Sequence, residues 1–407
     1  MSTAEGTASP STFADLIAPI SAETFFVEYY GRKVLHVRGN PGKFAGVMSW
    51  PKLDALLNMT AIWTSRSLEL ALDGALVPAP DYCRAGLDHG SGAPAPQPDP
   101  AAVTGLLRRG ASLLLNDIDT LSPELAAVAN ALEATLEGRV QANLYCSARQ
   151  HPAFPSHFDT HDVFAMHVEG EKLWRIYEGR LDNPVSHPTY KTMPQSFHEQ
   201  AKGKVAYDVL LKPGDLLYIP RGTYHDALAQ SDGTLHVAFG VTLLIGLDFV
   251  SSLFDRALED SLFRANFPRR HGPHGEASFA HHLSALAERI AALAKDRATL
   301  AQMAALQDSY RYARGGFDLT RVMAAPTRYR VTQPDFKVVR IGGDTVLQHG
   351  SKGTVIPAGL DEAVRWIVTQ PSFSVAELAA VAPRLPGEQR DELIRSLVTM
   401  GVLAGAA

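Results

Sequence analysis

Two histidines and one aspartate are the residues of this chain best suited to chemistry: His157, Asp159 and His225. Side chains two residues apart on a β-strand point to the same face, so His157 and Asp159 could bind one metal ion. His225 follows a predicted strand and turn, and a barrel could bring it to that ion. Two imidazoles and one carboxylate on one face leave positions open for a keto acid and dioxygen, which is typical of non-haem Fe(II) oxygenases. A chance occurrence of this spacing is the alternative.

A strand predicted just before the first histidine has one polar face. Gln141, Asn143, Tyr145 and Ser147 share this face, and the residues between them are apolar or cysteine. If the apolar face packs against covering helices, the polar face lines the interior of a barrel. Buried polar groups need partners, so a polar ligand in that interior would explain the pattern. A solvent-facing outer strand would show the same alternation.

Lys172 begins another predicted strand, directly after a hairpin turn at residues 169–171. Trp174 and Ile176 lie on the same face of that strand. A buried ammonium without a countercharge is costly, and a bound dicarboxylate would supply one. A lysine at a strand end that reaches solvent is the alternative.

These residues fall in a segment, 139–247, where short β-type runs alternate with turns. This rhythm predicts an antiparallel barrel or a double-sheet jelly roll. The predicted strands are residues 141–147, 163–168, 172–177, 205–211, 215–219 and 235–244.

The segments before the predicted barrel mix helices with short strands. Helices are predicted at residues 13–30, 50–57, 101–107 and 122–137, and the strands at 34–37, 68–72, 76–77 and 111–116. Residues 86–100 are rich in glycine and proline and are expected to form a mobile loop.

The segments after the predicted barrel are mainly helical. Between residue 249 and about residue 312, five aliphatic residues form a seam that could pack within the chain or against a second subunit: Leu283, Leu286, Ile290, Leu293 and Leu300. Near the end, helices at 361–368, 375–381 and 389–400 with short strands suggest a winged-helix-like module.

Composition limits the classes of protein that fit. Of the 407 residues, 46% are hydrophobic, which supports a large core and more than one domain. The formal net charge of -5 argues against a general polyanion binder. With two cysteines there is no disulfide framework. We find no signal peptide and no apolar run long enough to span a membrane, and we expect a cytoplasmic protein.

Several motifs together resemble the JmjC ribosomal oxygenases of the cupin superfamily. The likeness runs from Asn143 to Leu243, and the flanking helices and the C-terminal module match that family in layout. The motifs are N-x-Y at 143–145, P-x-H-x-D at 155–159, D-V-F at 162–164, E-G-E-K-x-W at 169–174, P-G-D at 213–215 and Y-I-P-R-G-x-x-H at 218–225.

The resemblance implies roles for the residues that match. His157, Asp159 and His225 would bind Fe(II), and Lys172 would pair with the distal carboxylate of 2-oxoglutarate. Asn143 and Tyr145 would lie near the co-substrate and the iron. The enzyme would use dioxygen to hydroxylate the β-carbon of an arginine or histidine in a ribosomal protein, for which a basic loop would be a suitable target.

The resemblance also implies an α+β fold with a double-stranded β-helix (cupin, jelly-roll) core. We expect a disordered tail at 1–12, a JmjC catalytic domain at 13–248, a helical dimerisation domain at 249–322 and a winged-helix-like domain at 323–407. The protein would then be a homodimer.

Some histidines fall outside the family pattern. His167 stands where the family often has glutamine. If it faces the lumen, it could compete as a ligand or contact substrate, and the alternative is a satisfied barrel histidine. His236 lies at the start of the last predicted strand and could touch the rim of the site. A cluster in a loop and helix start is expected to have no metal: His271, His274, His281 and His282.

Two other functions remain open. The same chemistry could act on a different protein, or on a ribosomally made peptide of a biosynthetic pathway. The chain could instead be a non-catalytic metal-binding cupin that serves as a scaffold or regulator. Direct DNA binding is not expected, because residues 361–403 contain no concentrated basic helix.

Overall fold

A computed structural model describes residues 10–87, 92–148, 152–315, 317, 328–350 and 352–406. The chain divides into two compact units, Met1–Gly315 and Gly316–Ala407, and each is described by itself. Most of the expected tail at 1–12, part of the expected loop at 86–100 and the expected boundary at 322–323 lie outside the described residues. Thr12 is described, and it caps the first helix.

Two antiparallel sheets form the centre of the first unit. The larger has the strand order β1-β11-β8-β13-β7-β6-β2-β3, and the smaller has the order β10-β9-β12. The strands are β1 (Leu35–Val37), β2 (Leu68–Leu72), β3 (Ala75–Leu76), β4 (Cys83–Arg84), β5 (Gln97–Pro98), β6 (Ser112–Leu115), β7 (Arg139–Ser147), β8 (Asp162–Glu169), β9 (Lys172–Arg180), β10 (Val205–Leu211), β11 (Leu216–Ile219), β12 (Thr223–Ala229) and β13 (Thr234–Thr242). The two sheets fit the predicted jelly roll.

All six strands predicted in the segment 139–247 are present, and one strand was missed. The missed strand, β12, contains His225, which was placed after a strand and turn rather than within a strand. β12 pairs with β9, so that His225 lies opposite Ile176. This pairing places the histidine on the same sheet as Lys172.

The two faces of β7 follow the predicted alternation. Val140, Ala142 and Leu144 are fully buried and belong to the main core with helix residues such as Leu132. The opposite face, with Gln141, Asn143 and Tyr145, lines a cavity between the two sheets. The alternative of a solvent-facing outer strand is therefore wrong.

Helices surround the sheets of the first unit and form its C-terminal segment. They are α1 (Phe13–Ile17), α2 (Ala22–Thr24), α3 (Trp50–Leu57), α4 (Pro100–Arg108), α5 (Pro123–Leu136), α6 (Pro188–Lys191), α7 (Gln195–Ala201), α8 (Gly246–Ala257), α9 (Ser261–Arg264), α10 (Gly275–Lys295) and α11 (Arg297–Ser309). The helical segment predicted at 13–30 consists of α1, α2 and a π-helical turn at Phe25–Tyr29, and Ser21 caps α2. Pro19, which cannot continue a helix, lies in the break.

The aliphatic seam of the C-terminal helices is mostly open to solvent. Leu293 is buried, but Leu283, Ile290 and Leu300 are exposed. Packing within this unit therefore does not cover the seam. None of the described helices combines the length and apolarity needed to cross a membrane.

The second unit has its own hydrophobic core. Its elements are β14 (Arg328–Val331), β15 (Lys337–Ile341), β16 (Asp344–His349), β17 (Lys352–Val355), α12 (Asp361–Thr369), β18 (Phe373–Ser374), α13 (Val375–Val381), α14 (Gly387–Thr399) and β19 (Leu403–Ala406). The strands form two three-stranded sheets, β18-β14-β19 and β15-β16-β17. The three predicted helices are present, and the winged-helix assignment stays a prediction.

Candidate metal centre and its cavity

The fold brings His157, Asp159 and His225 together. Their potential ligand atoms all lie within 4.8 Å of one another, and His225 Nε2 is 3.4 Å from Asp159 Oδ2. His157 is in an isolated β-bridge rather than in a strand. Its amide donates to the His225 carbonyl at 3.0 Å, and the His225 amide donates back at 2.9 Å. This bridge fixes the two histidine backbones side by side.

Both imidazole rings are oriented by backbone carbonyl groups. His157 Nδ1 is 2.9 Å from the Pro155 carbonyl oxygen, and His225 Nδ1 is 3.0 Å from that of Thr223. A carbonyl can only accept, so each Nδ1 carries the proton and each Nε2 has a free lone pair. This second-layer contact is the usual way in which proteins prepare a histidine to bind a metal.

The electrostatics keep Asp159 and His225 in the protonation states that metal binding needs. Burial, together with the nearby His157, lowers the pKa of His225 to about 4. Burial alone would raise the pKa of Asp159, but His161, His225 and His157 together hold it below its usual value. At neutral pH the cluster is therefore a carboxylate beside a neutral His225 imidazole.

Behind the cluster, a polar network joins the loop before His157 to β12. The Asp226 carboxylate accepts hydrogen bonds from Tyr177 Oη at 2.5 Å and from Ser156 Oγ at 2.8 Å. Lys202 donates to the same Ser156 hydroxyl at 3.2 Å. The sequence analysis missed this network, although Ser156 and Asp226 are each adjacent to a histidine of the cluster.

The cluster opens onto a cavity of about 500 Å³ between the two sheets. Its walls combine polar side chains with apolar ones that exclude water. The lining residues include Gln141, Asn143, Tyr145, Phe154, His161, Val163, Lys172, Trp174, Ala227, His236, Ala238, Gly240 and Thr242. The predicted cofactor residues Lys172, Asn143 and Tyr145 thus share one cavity with the three candidate ligands.

Lys172 lies at the closed end of this cavity and is only 4% exposed. Its ammonium donates to Ser147 Oγ at 3.2 Å, and no carboxylate of the described residues forms an ion pair with it. Burial lowers the pKa of Lys172 to about 8. The alternative of a lysine that reaches solvent is wrong, since the side chain points into a buried and uncompensated position.

His236 is part of the cavity wall rather than of its rim. It lies within β13, is 3% exposed, and stacks on Tyr145 with ring centroids 4.8 Å apart. Its Nδ1 is buried and has no hydrogen-bond partner among the described residues. The signal that could have revealed it is the alternation of His236, Ala238 and Gly240 along one strand.

His167 is fully buried, and it is not among the residues that line the cavity. Its Nε2 lies 2.9 Å from the Gly170 carbonyl oxygen, whereas its Nδ1 has no partner among the described residues. Burial lowers the pKa of His167 to about 4. Since His167 does not line the cavity, it is not placed to compete as a ligand or to contact a substrate there, and the interpretation as a barrel histidine fits.

The histidines of the C-terminal helical segment do not form a second metal site. Within the part of the chain that the structure describes, His157, Asp159 and His225 are the single group of three or more potential ligands close enough to share an ion. His271, His274, His281 and His282 form no such group.

Comparison with known proteins identifies the central segment. Residues 115–246 match the family model of the JmjC domain. A bifunctional lysine-specific demethylase and histidyl-hydroxylase NO66 from Dictyostelium discoideum is 28% identical over 264 residues, which is 63% of this chain and 49% of that protein. Ribosomal oxygenase 2 from Rattus norvegicus is 31% identical over 281 residues, which is 64% of this chain and 55% of that protein. The chain thus spans about half the length of these relatives.

A solved structure shows the same fold over nearly the whole chain. The ribosomal oxygenase YcfD from Escherichia coli, in complex with cobalt and 2-oxoglutarate, superposes with a TM-score of 0.50 at 17% identity. The match covers 95% of this chain and 98% of that one. The resemblance inferred from the motifs is confirmed: residues 115–246 are a JmjC domain, and the chain is a homologue of the ribosomal oxygenases.

Proposed function

We propose that this chain is an Fe(II)- and 2-oxoglutarate-dependent oxygenase that hydroxylates a side chain of a protein. One observation carries the proposal: the cavity that holds the three candidate ligands also holds a buried ammonium without a countercharge. A metal with open positions and a cation at the closed end are what a keto acid with a distal carboxylate requires. The names of the relatives agree with this chemistry.

In this proposal His157, Asp159 and His225 hold Fe(II), because two neutral nitrogens and one carboxylate suit that ion. When bound, Fe(II) and 2-oxoglutarate supply the oxidative decarboxylation that activates dioxygen for insertion into a C–H bond. Lys172 binds and orients the distal carboxylate of the co-substrate. Tyr145 and Asn143 line the space between the metal site and Lys172. Trp174 and Ala238 form apolar walls that exclude water.

We further propose the β-carbon of an arginine or histidine as the target, in a protein such as a basic ribosomal protein. The support is that relatives are named ribosomal oxygenase and histidyl-hydroxylase. Another protein, or a ribosomally made peptide, is the second candidate. Mass spectrometry of ribosomal proteins from cells with and without the gene would decide, through a gain of about 16 Da, the mass of one oxygen atom.

A homodimer is the assembly that we propose. Helix α8 and its C-terminal cap residue Leu258 present an apolar stripe at three- and four-residue spacing, and all of its members are exposed: Leu247, Val250, Phe254 and Leu258. Such a stripe is expected to bury its apolar area against another surface. Phe254→Glu should shift the protein toward monomer in sedimentation, and an unchanged mass would contradict the proposal.

The oxygenase reaction is tested by succinate formation with Fe(II), ascorbate and 2-oxoglutarate. We expect Asp159→Ala to lower the rate by more than about 100-fold. Removing a metal ligand should reduce activity more than removing a residue that only hydrogen-bonds to a ligand. Asp208→Ala is the matched control, since this carboxylate lies on the exposed part of β10. A non-catalytic scaffold would bind the metal and form no succinate. Full turnover by Asp159→Ala would refute the ligand assignment.

A further inference from the structure

The cavity has a closed end and an open end, and the two strands that line it run between them. On β13 the wall residues pass from His236, which is 3% exposed, through Ala238 and Gly240 to the exposed Thr242. On β7 they pass from Tyr145 to the exposed Gln141, which pairs with Gly240. The closed end holds Lys172, so a target side chain must enter by way of Gln141, Gly240 and Thr242.

His161 occupies a notch at this open end that exists because residue 240 is glycine. A Cβ added to Gly240 would lie 2.5 Å from both Cδ2 and Nε2 of His161. The third nearest atom is again in the His161 ring, at 3.5 Å. The imidazole therefore packs against bare backbone, in the space that any other side chain at position 240 would fill.

The His161 ring is held in place but has no hydrogen bond to any residue that the structure describes, and it is only half-buried. Its polar neighbours are already engaged. Gln141 Nε2 donates to Asp117 Oδ1 at 2.7 Å, and Asn143 Oδ1 accepts from the Asp117 amide at 3.1 Å. His161 is thus a positioned imidazole at the cavity entrance whose hydrogen-bonding capacity is unused.

We propose that His161 is a specificity-determining residue, which hydrogen-bonds the side chain that enters the cavity. This inference rests on the proposed function. An imidazole can donate and accept, so it suits a neutral target that does the same, such as another imidazole or a carboxamide.

The charges at the site favour a neutral target over a guanidinium. Asp159 is the one carboxylate among the described lining residues, and the proposed function commits it to the metal. Lys172 and a bound divalent ion add positive charge. Beyond the entrance, where Asp117 accepts a hydrogen bond from Gln141, a guanidinium would have no free carboxylate among the described lining residues, which is costly in a partly buried site.

The test is a binding measurement that needs no turnover. The full chain, loaded with Zn(II) and 2-oxoglutarate, is titrated with fluorescent peptides that share their flanks and differ in a central His, Asn, Arg or Ala. We expect the His and Asn peptides to bind about tenfold more tightly than the Arg and Ala peptides, the effect of one hydrogen bond. His161→Ala should remove this preference, and His161→Gln should keep part of it.

A double-mutant cycle separates the role of His161 from a general effect on folding. Gly240→Ala should abolish the preference although it keeps the imidazole, because the added Cβ displaces the ring. In the His161→Ala background the same change should cost nothing further. Gly105→Ala is the control, since a Cβ there has nothing within 4 Å.

Three results would overturn the inference: no preference in the wild-type protein, a preference that survives His161→Ala, or an effect of Gly240→Ala that persists without His161. Wild-type succinate formation is measured separately and decides the proposed function. The two can therefore fail independently.

Discussion

Two cationic side chains are buried in the first unit, and the protein surrounds them differently. Arg314, whose side chain is 1% exposed, has Nε 2.6 Å from Asp119 Oδ2 and Nη1 2.7 Å from Glu133 Oε2. Its Nη2 also donates to the Val140 carbonyl. Lys172 has the hydroxyl of Ser147 and no carboxylate among the described residues.

This difference indicates a structural role for Arg314 and a ligand-binding role for Lys172. The charge of Arg314 is compensated by two carboxylates, and Glu133 also accepts the amides of Val140 and Tyr312. These contacts connect Arg314, which follows the last helix of the first unit, to α5 and β7. Lys172 is buried at an electrostatic cost that no carboxylate among the described residues offsets, so we expect a ligand to supply the countercharge.

The largest effect should come from breaking the compensated site. Arg314→Met leaves two buried carboxylates without a cation, and we expect the free energy of unfolding to fall by about 3–5 kcal/mol. Arg311→Met is the control, because that side chain is exposed and should change stability by about 0.5 kcal/mol or less. Denaturant unfolding measures both variants, and equal stabilities would show that the network contributes little.

Removing the uncompensated cation, Lys172, should instead increase the free energy of unfolding. The folded state lowers the pKa of Lys172 to about 8, so below pH 8 the charged form opposes folding. This opposition is relieved as the pH rises from about 8 toward the pKa of an unfolded lysine, about 10.4. At pH 7 and without ligand, we expect Lys172→Met to raise the free energy of unfolding by roughly 1–3 kcal/mol. A loss of stability would mean that the lysine is structural.

The smallest effect is the pH dependence of ligand binding. Binding of 2-oxoglutarate to the metal-loaded chain needs the Lys172 ammonium, which loses its proton above pH about 8. The Kd should therefore be flat below that pH and rise by up to about tenfold per pH unit above it. Calorimetry at pH values from about 6.5 to about 9.5, a range that brackets the pKa of Lys172, measures this change of the Kd with pH. Lys172→Met should show no step, and a step that remains in it would assign the titration to another group.

The sequence was informative where a local pattern decides the outcome. Alternation along β7 predicted that Asn143 and Tyr145 face inward, and the position of Lys172 after a hairpin predicted its strand. The motif spacing was enough to select His157, Asp159 and His225, although the first of these lies in a bridge and not in a strand. The secondary-structure context was wrong there, while the convergence of the side chains was right.

Features that depend on distant pairing could not be read from the sequence. Arg314 and Asp119 are 195 residues apart, and neither stands in a pattern that marks it as buried. The significance of Gly240 depends on which side chain lies over it, and that requires the three-dimensional placement of His161. β12 was missed because its polar residues, His225 and Asp226, interrupt the apolar alternation that marks a strand.

The most direct test of the central claim pairs Lys172 with the distal carboxylate of the co-substrate. The Co(II)-loaded full chain is titrated calorimetrically with 2-oxoglutarate and with 2-oxobutyrate, a keto acid that lacks the distal carboxylate. We expect the wild-type protein to prefer 2-oxoglutarate by about 100-fold, as for a charge-assisted hydrogen bond in a buried site, and Lys172→Met to bind both ligands equally. An undiminished preference in Lys172→Met would contradict the account, because the distal carboxylate would then be bound elsewhere.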